Sequence, residues 1–270
     1  MRYGQIVIGP AGSGKSTYCS NVVKYCQESK RTVHVVNLDP AAENFTYDPV
    51  VDIRDLVQVE DVMEDEELKL GPNGGLIFCL EYLIQNLDWL EQQLGQYDDD
   101  YILFDCPGQI ELYTHIPLMK RLVDRLQQWN FRLCSVFLLD SQFVVSTSKY
   151  VAGVMTALSS MVSLELAHVN LLTKMDLLDK KSRKEVDEKY LTPDPTILLS
   201  DLSETTSKRY NKLNSAIVTL ISDYSLVQFL PLNMAEEDAL SDVMLYIDNT
   251  IQYGEDLDVK IPKLEADEDS

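Results

Sequence analysis

The 270-residue sequence has no apolar run near the ~18 residues that a membrane-crossing helix needs, so no membrane partner is expected. Its five cysteines, Cys19, Cys26, Cys79, Cys106 and Cys134, are odd in number and contain no C-x-x-C pair, which argues against a disulfide framework and against zinc. Most sit in apolar stretches and read as reduced, buried thiols of a cytosolic or nuclear protein. Basic residues are scarce, 23 against 44 acidic, for a formal net charge of -21. Nucleic acid is therefore not expected as a main partner, because a phosphate backbone asks for a basic face. The acidity suits solubility alone, or a surface that meets basic patches on other proteins. Met1-Arg2-Tyr3 runs straight into a first strand, so no signal or transit peptide is expected. No internal repeat and no separating linker occurs, which favours one domain over residues 1–253.

What is present begins at Gly9. The run Gly9-Pro10-Ala11-Gly12-Ser13-Gly14-Lys15-Ser16-Thr17 fits G-x-x-x-x-G-K-[ST], follows the apolar Ile6-Val7-Ile8 and opens a helix predicted over residues 15–28. This is the strand–loop–helix setting of a phosphate-binding loop. Gly12 and Gly14 let successive N–H groups curl toward one anion, and the helix start adds its positive dipole end. Lys15 then reaches the outer phosphates, and the Ser16 hydroxyl can ligate Mg²⁺.

Five further strand-length apolar runs, at residues 32–38, 101–104, 132–139, 168–172 and 227–230, alternate with helical patterns. Helices are predicted over 75–94, 116–129, 148–166, 207–224 and 239–253. Short, nearly continuous apolar strands between helices predict a single doubly wound, mostly parallel α/β sheet, a P-loop NTPase. Residues 179–207 read as an inserted segment with short helices. The segment 255–270 carries seven acidic residues against two lysines, and the acidic tail 254–270 is expected to be disordered.

Ligands of such sheets bind beyond the carboxyl ends of the strands, and four polar signals fall there. The first is Asp105-Cys106-Pro107-Gly108-Gln109, in which Asp105 can hold Mg²⁺ directly or through water and Pro107-Gly108 can swing with the γ-phosphate. The second, Thr173-Lys174-Met175-Asp176, fits a guanine-reading x-K-x-D: Asp176 accepts from the base N1–H and amine, and Lys174 lies along its face. Threonine at 173, where asparagine is more frequent, removes one amide contact. The third is Asp39, which sits near the attacking water or metal shell, although by composition it reads first as a turn or cap residue. Gly71-Pro72-Asn73-Gly74-Gly75 reads first as a tight turn and a helix entry, ahead of a helix starting near Leu76.

Taken together, these five segments, with Asn37-Leu38-Asp39-Pro40-Ala41-Ala42-Glu43 around Asp39, resemble the GPN-loop GTPases. The opening Gly9–Cys19 and the stretch Ile251–Leu257 are similar to one eukaryotic paralogue of that family. The resemblance implies a SIMIBI-type fold and a nucleotide-dependent dimer in which Asn73 of one subunit reaches the other's phosphates. It also implies roles for Asp39, Gln109 and Glu111 in positioning the attacking water, GTP/GDP and Mg²⁺ as ligands, and no intrinsic arginine finger. The partners it implies are a paralogue of the same family (a heterodimer with the first paralogue, or a homodimer) and RNA polymerase II subunits. Its implied role is in polymerase assembly and nuclear import, from the cytoplasm with shuttling to the nucleus. From the residues alone, a P-loop kinase, or a dimerising assembly module with vestigial GTPase activity, stays open; no arginine-rich lid supports the kinase.

Overall fold

The computed structural model describes residues 1–43, 45–95, 101–223, 227–234 and 236–254. The chain opens with β1 (Arg2–Ile8), α1 (Lys15–Glu28), β2 (Val33–Asn37) and β3 (Val51–Asp52). Next come α2 (Val59–Glu64), α3 (Pro72–Gln85), α4 (Leu87–Leu94), β4 (Tyr101–Asp105), α5 (Glu111–Thr114) and α6 (Leu118–Gln128). Then follow β5 (Phe131–Asp140), α7 (Thr147–Leu164), β6 (Ala167–Thr173), α8 (Lys180–Lys189), α9 (Pro195–Thr205), α10 (Asn211–Asp223), β7 (Phe229–Pro231) and α11 (Glu237–Ile251).

The strands form one seven-stranded sheet in the order β3-β2-β4-β1-β5-β6-β7, and every pairing is parallel. Parallel neighbours require crossovers, so helices cover both faces and the strands are apolar on both sides. Tyr18, Val22 and Cys26 of α1 and Val243, Met244 and Ile247 of α11 pack on one face; α3, α6 and α7 supply Leu83, Leu122 and Val154 to the other. All five cysteines are free and buried. A buried polar chain ties the first face together: the Tyr18 hydroxyl donates to Gln5 Oε1 at 2.7 Å, and Gln5 Nε2 donates to the Tyr101 hydroxyl at 2.9 Å.

Several boundaries differ from the sequence expectation. The helix predicted over 75–94 is two helices, broken at Asn86 (φ -118°, ψ 38°), whose side-chain amide donates to Tyr82 O at 2.8 Å. Local side-chain-to-backbone bonding of this kind is how asparagine ends a helix. Its start also moves: Gly71-Pro72-Asn73 is the helix entry, with Pro72 the first helical residue rather than one near Leu76. Gly74 and Gly75 lie within the first turns, and a Cβ on Gly75 would come within 3.2 Å of Val59 and Met63 on α2. The two-residue β3 and four-residue α5 are too short to leave a periodic signal. Helix α10 begins at Asn211 after a 3₁₀ turn over Lys208–Tyr210, later than the predicted 207. The insertion at 179–207 holds α8 and α9, whose Val186, Leu198 and Leu202 join the main core. The acidic tail 255–270 lies outside the described residues.

Helix α11 is fastened at its end by a cation between two rings. The Arg31 guanidinium lies 4.2 Å from the Tyr101 ring centroid and 3.8 Å from that of Tyr253, and it donates to both Asp248 oxygens at 2.6 and 3.0 Å. With Arg31 largely buried, Asp248→Ala strands a charge. A loss of about 1.5–3 kcal/mol in urea unfolding is expected, more than a surface ion pair yields.

Candidate active site

Strand β1 is central, with β4, β2 and β3 to one side and β5, β6 and β7 to the other. The strand order reverses there, which places the crevice for a ligand above its carboxyl end. The loop from Gly9 to Gly14 fills this crevice. Gly9, Gly12 and Gly14 have φ of 143°, 76° and 92°, in a region that side chains rarely adopt. A Cβ on Gly9 would lie 2.3 Å from Leu138 O, so glycine is required there. Gly14 is the N-cap of α1 with no side-chain cap, which leaves the first-turn N–H groups directed at the loop. The Ser13 hydroxyl is buried without a hydrogen-bond partner among the described residues, and this suits it to a phosphate oxygen. Lys15 Nζ, also buried, donates to Gly9 O at 3.3 Å and Pro10 O at 3.4 Å.

Two carboxylates flank the loop, Asp105 buried and Asp39 half-buried. Asp105, at the end of β4, accepts from the Tyr47 hydroxyl at 2.6 Å, and the Ser16 hydroxyl lies near the same carboxyl. Asp39, beyond β2, accepts from the Ala41 amide at 3.0 Å through Oδ1. Burial pushes both carboxyls above the usual range; Lys15 pulls each back, and the two hydroxyls do so at Asp105. The Ser16 hydroxyl and Asp105 carboxylate form a pair of hard oxygen donors of the kind Mg²⁺ takes.

The Asp39 loop is held by a network that the sequence motifs did not announce. Asn37 Oδ1 accepts from the Asp39 amide, while Asn37 Nδ2 donates to Asp39 O at 3.0 Å and Asp52 Oδ1 at 2.9 Å. Asp52 pairs with Arg54 at 2.6 Å, and Arg54 Nη1 donates to Ala42 O at 2.8 Å. Strand β3 exists to deliver Asp52, whose carboxyl is lowered, burial being outweighed by Arg54 and Asn37.

The loop after β4 touches the phosphate loop directly. A Cβ on Gly108 would fall 2.8 Å from Ala11 Cα, so only glycine permits this approach. The buried Tyr113 hydroxyl donates to Pro107 O. Gln109 Oε1 is buried with no partner among the described residues, which leaves an acceptor free. Glu111 is exposed at the start of α5, and Asn73 is exposed in the first turn of α3. Neither side chain hydrogen-bonds within the described residues, and the structure does not bring Asn73 into this chain's own loop network.

The segment Thr173-Lys174-Met175-Asp176 is tied to the phosphate loop. The Thr173 hydroxyl is buried and donates to Ser13 O at 2.7 Å and Leu139 O at 3.2 Å. Lys174, with φ 58°, sends Nζ to Gly12 O at 2.7 Å and Asp140 Oδ2 at 2.8 Å. Met175 is a core residue and Asp176 stands exposed beside it. Asp140 was legible, since it ends the apolar run of β5 as Asp105 ends that of β4.

A protein-family profile described as a conserved hypothetical ATP binding protein matches residues 7–253. The sequence is 60% identical over 269 residues to GPN-loop GTPase 3 of Danio rerio, covering 99% of this chain and 94% of that one. It is 52% identical over 271 residues to GPN-loop GTPase 3 of Mycosarcoma maydis, covering 97% and 96%. The chain belongs to the GPN-loop GTPase family. A solved structure of a GTPase from Pyrococcus abyssi, in apo form, has the same fold, with TM-score 0.77 at 24% identity over 92% of this chain and 97% of that one. Gly71-Pro72-Asn73 is the tripeptide for which the GPN-loop GTPases are named.

If Thr173 holds the loop rather than the base, Thr173→Ala should weaken GTP binding by about 2- to 13-fold, the worth of an ordinary hydrogen bond. The preference for guanine over xanthine nucleotides should stay as it is; competitive nucleotide titrations measure both.

Proposed function

We infer that the protein is a nucleotide-dependent dimeric GTPase that acts as a switch in RNA polymerase II assembly and nuclear import, working between cytoplasm and nucleus. GTPase activity comes with membership of the GPN-loop family; the dimer, polymerase subunits as clients and a paralogue as partner are our reading. The observation that carries the switch is the Gly108–Ala11 approach, since a phosphate arriving in the loop and the segment behind Asp105 must share that space.

The residues present divide the work. Inward N–H groups of the loop and Lys15 bind and neutralise the phosphates. Mg²⁺, held by Ser16 and Asp105, would supply further charge neutralisation at the β- and γ-oxygens. Asp39, fixed by Asn37 and the Arg54 network, and the free Gln109 Oε1 can accept from a water and orient it in line with the γ-phosphate; Glu111 borders the same loop. Asp176, exposed after β6, is free to accept from guanine N1–H and amine while Lys174 flanks the base. Asn73 is exposed in the first turn of α3, which leaves its side chain open to a partner's phosphates.

Asp176→Asn should weaken GTP by roughly 10- to 150-fold and strengthen xanthosine triphosphate, because an amide donates where the carboxylate accepted. Unchanged GTP affinity would remove Asp176 from the base site.

The dimer is tested by mixing. A subunit with Asn73→Ala, paired with a Lys15→Ala subunit, has a competent site that faces an intact Asn73 and should hydrolyse GTP. Wild type paired with the double variant Lys15→Ala/Asn73→Ala should turn over about 10²–10³-fold more slowly, the usual worth of a transition-state donor. Equal rates in the two mixtures, with dimers confirmed by mass, would rule out action in trans.

A further inference from the structure

Tyr47 lies between β2 and β3, a few residues beyond the Asp39 segment and outside every motif singled out in the sequence. It is buried, 8% exposed, and its hydroxyl reaches across 58 positions to donate to Asp105 Oδ2 at 2.6 Å. The stretch is pinned on either side of the ring. Ser20 Oγ of α1 donates to Thr46 O at 3.0 Å, and the Phe45 ring packs 5.2 Å from that of Tyr47. Phe45 in turn carries the Arg54 guanidinium 4.5 Å from its centroid, in the network that holds the Asp39 loop.

A buried phenol hydroxyl needs an acceptor, for which any backbone carbonyl would serve, and the one it takes here is the Asp105 carboxylate. A buried Asp105 has two oxygens and freedom about its last torsion, and a cation site needs that rotation fixed. The Tyr47 proton engages Oδ2 and so restrains rotation of the Asp105 carboxylate, near which the Ser16 hydroxyl lies.

We propose that Tyr47 is a positioning residue for the cation: its hydroxyl orients the Asp105 carboxylate so that this group and Ser16 present their oxygens to Mg²⁺ together. The proposal rests on the reading of Asp105 as the metal-side aspartate. Outer partners of metal ligands are worth about 10–100-fold in metal affinity. The same range is expected here, with no direct effect on the phosphate loop or the base.

The test is the Mg²⁺ dependence of GDP binding by the full chain, read with a fluorescent GDP from EDTA to millimolar Mg²⁺. Tyr47→Phe keeps the ring and removes the donor. Its GDP affinity in EDTA should match wild type, while the Mg²⁺ midpoint should rise about 10–100-fold. Ser20→Ala, which frees Thr46 O, should move the midpoint the same way by less, in a background where Tyr47 is intact. A role in packing alone would lower the melting temperature, and the EDTA affinity with it, at an unchanged midpoint; that result overturns the proposal. Asp105→Asn separates the two layers. If it shifts the Mg²⁺ midpoint and Tyr47→Phe does not, Tyr47 is not a positioning residue; if Asp105→Asn leaves the midpoint alone, the metal reading of Asp105 falls and the proposal with it.

Discussion

A loop that turns its N–H groups inward around an anion must turn its carbonyls outward, and a carbonyl at the edge of a core must find a donor. The rest of the site depends on how this is met. Lys15 takes the oxygens of Gly9 and Pro10, Lys174 takes that of Gly12, and Thr173 that of Ser13. Two of those four oxygens are thus served from β6, two strands away from the loop's own. The residues behind the base-reading motif therefore build the phosphate site as well. A change meant to alter nucleotide choice at 173 or 174 acts on phosphate binding too.

The second carboxylate shows a different economy. Asp39 sits in a loop with little core of its own, so polar neighbours replace packing. Asn37 straddles the turn, and Asp52 and Arg54 form a strut to Ala42 O. The pairing of β2 with β3 covers two residues, and one of them is Asp52. The strand is short because its task is to place one side chain at the sheet edge rather than to extend the core.

These cases explain what the sequence disclosed and what it withheld. Helix α1 was legible to the residue, because the glycine-rich loop fixes its start and apolar spacing sets its course. The strands were legible as apolar runs: those for β1, β4, β5 and β6 fell short at the ends, where polar residues such as Asp105 and Asp140 complete the pairing, while 32–38 overran β2 and 227–230 began ahead of β7. The Asp39 network, Tyr47 and the role of Thr173 were not legible, since each is a contact between distant segments that no local pattern encodes. The helix entry at 71–73 was legible from its proline, while Gly74 and Gly75 hid how early the helix begins, since the apolar face of α2 gives Gly75 a packing role.

The parallel sheet carries one more consequence. Strand β1 pairs with β4 and β5, which lie far from it in sequence, so the loop at Gly9 has its props at residues 108 and 173 only where distant parts of the chain are together. A ligand that needs all of these parts favours the folded domain over the unfolded chain. Ligand at a hundred times its dissociation constant adds about 2.7 kcal/mol to the native state, a sizeable share of a domain's margin. The nucleotide pool thus acts as a thermodynamic chaperone for the protein that consumes it, and a chain starved of nucleotide is a less durable chain.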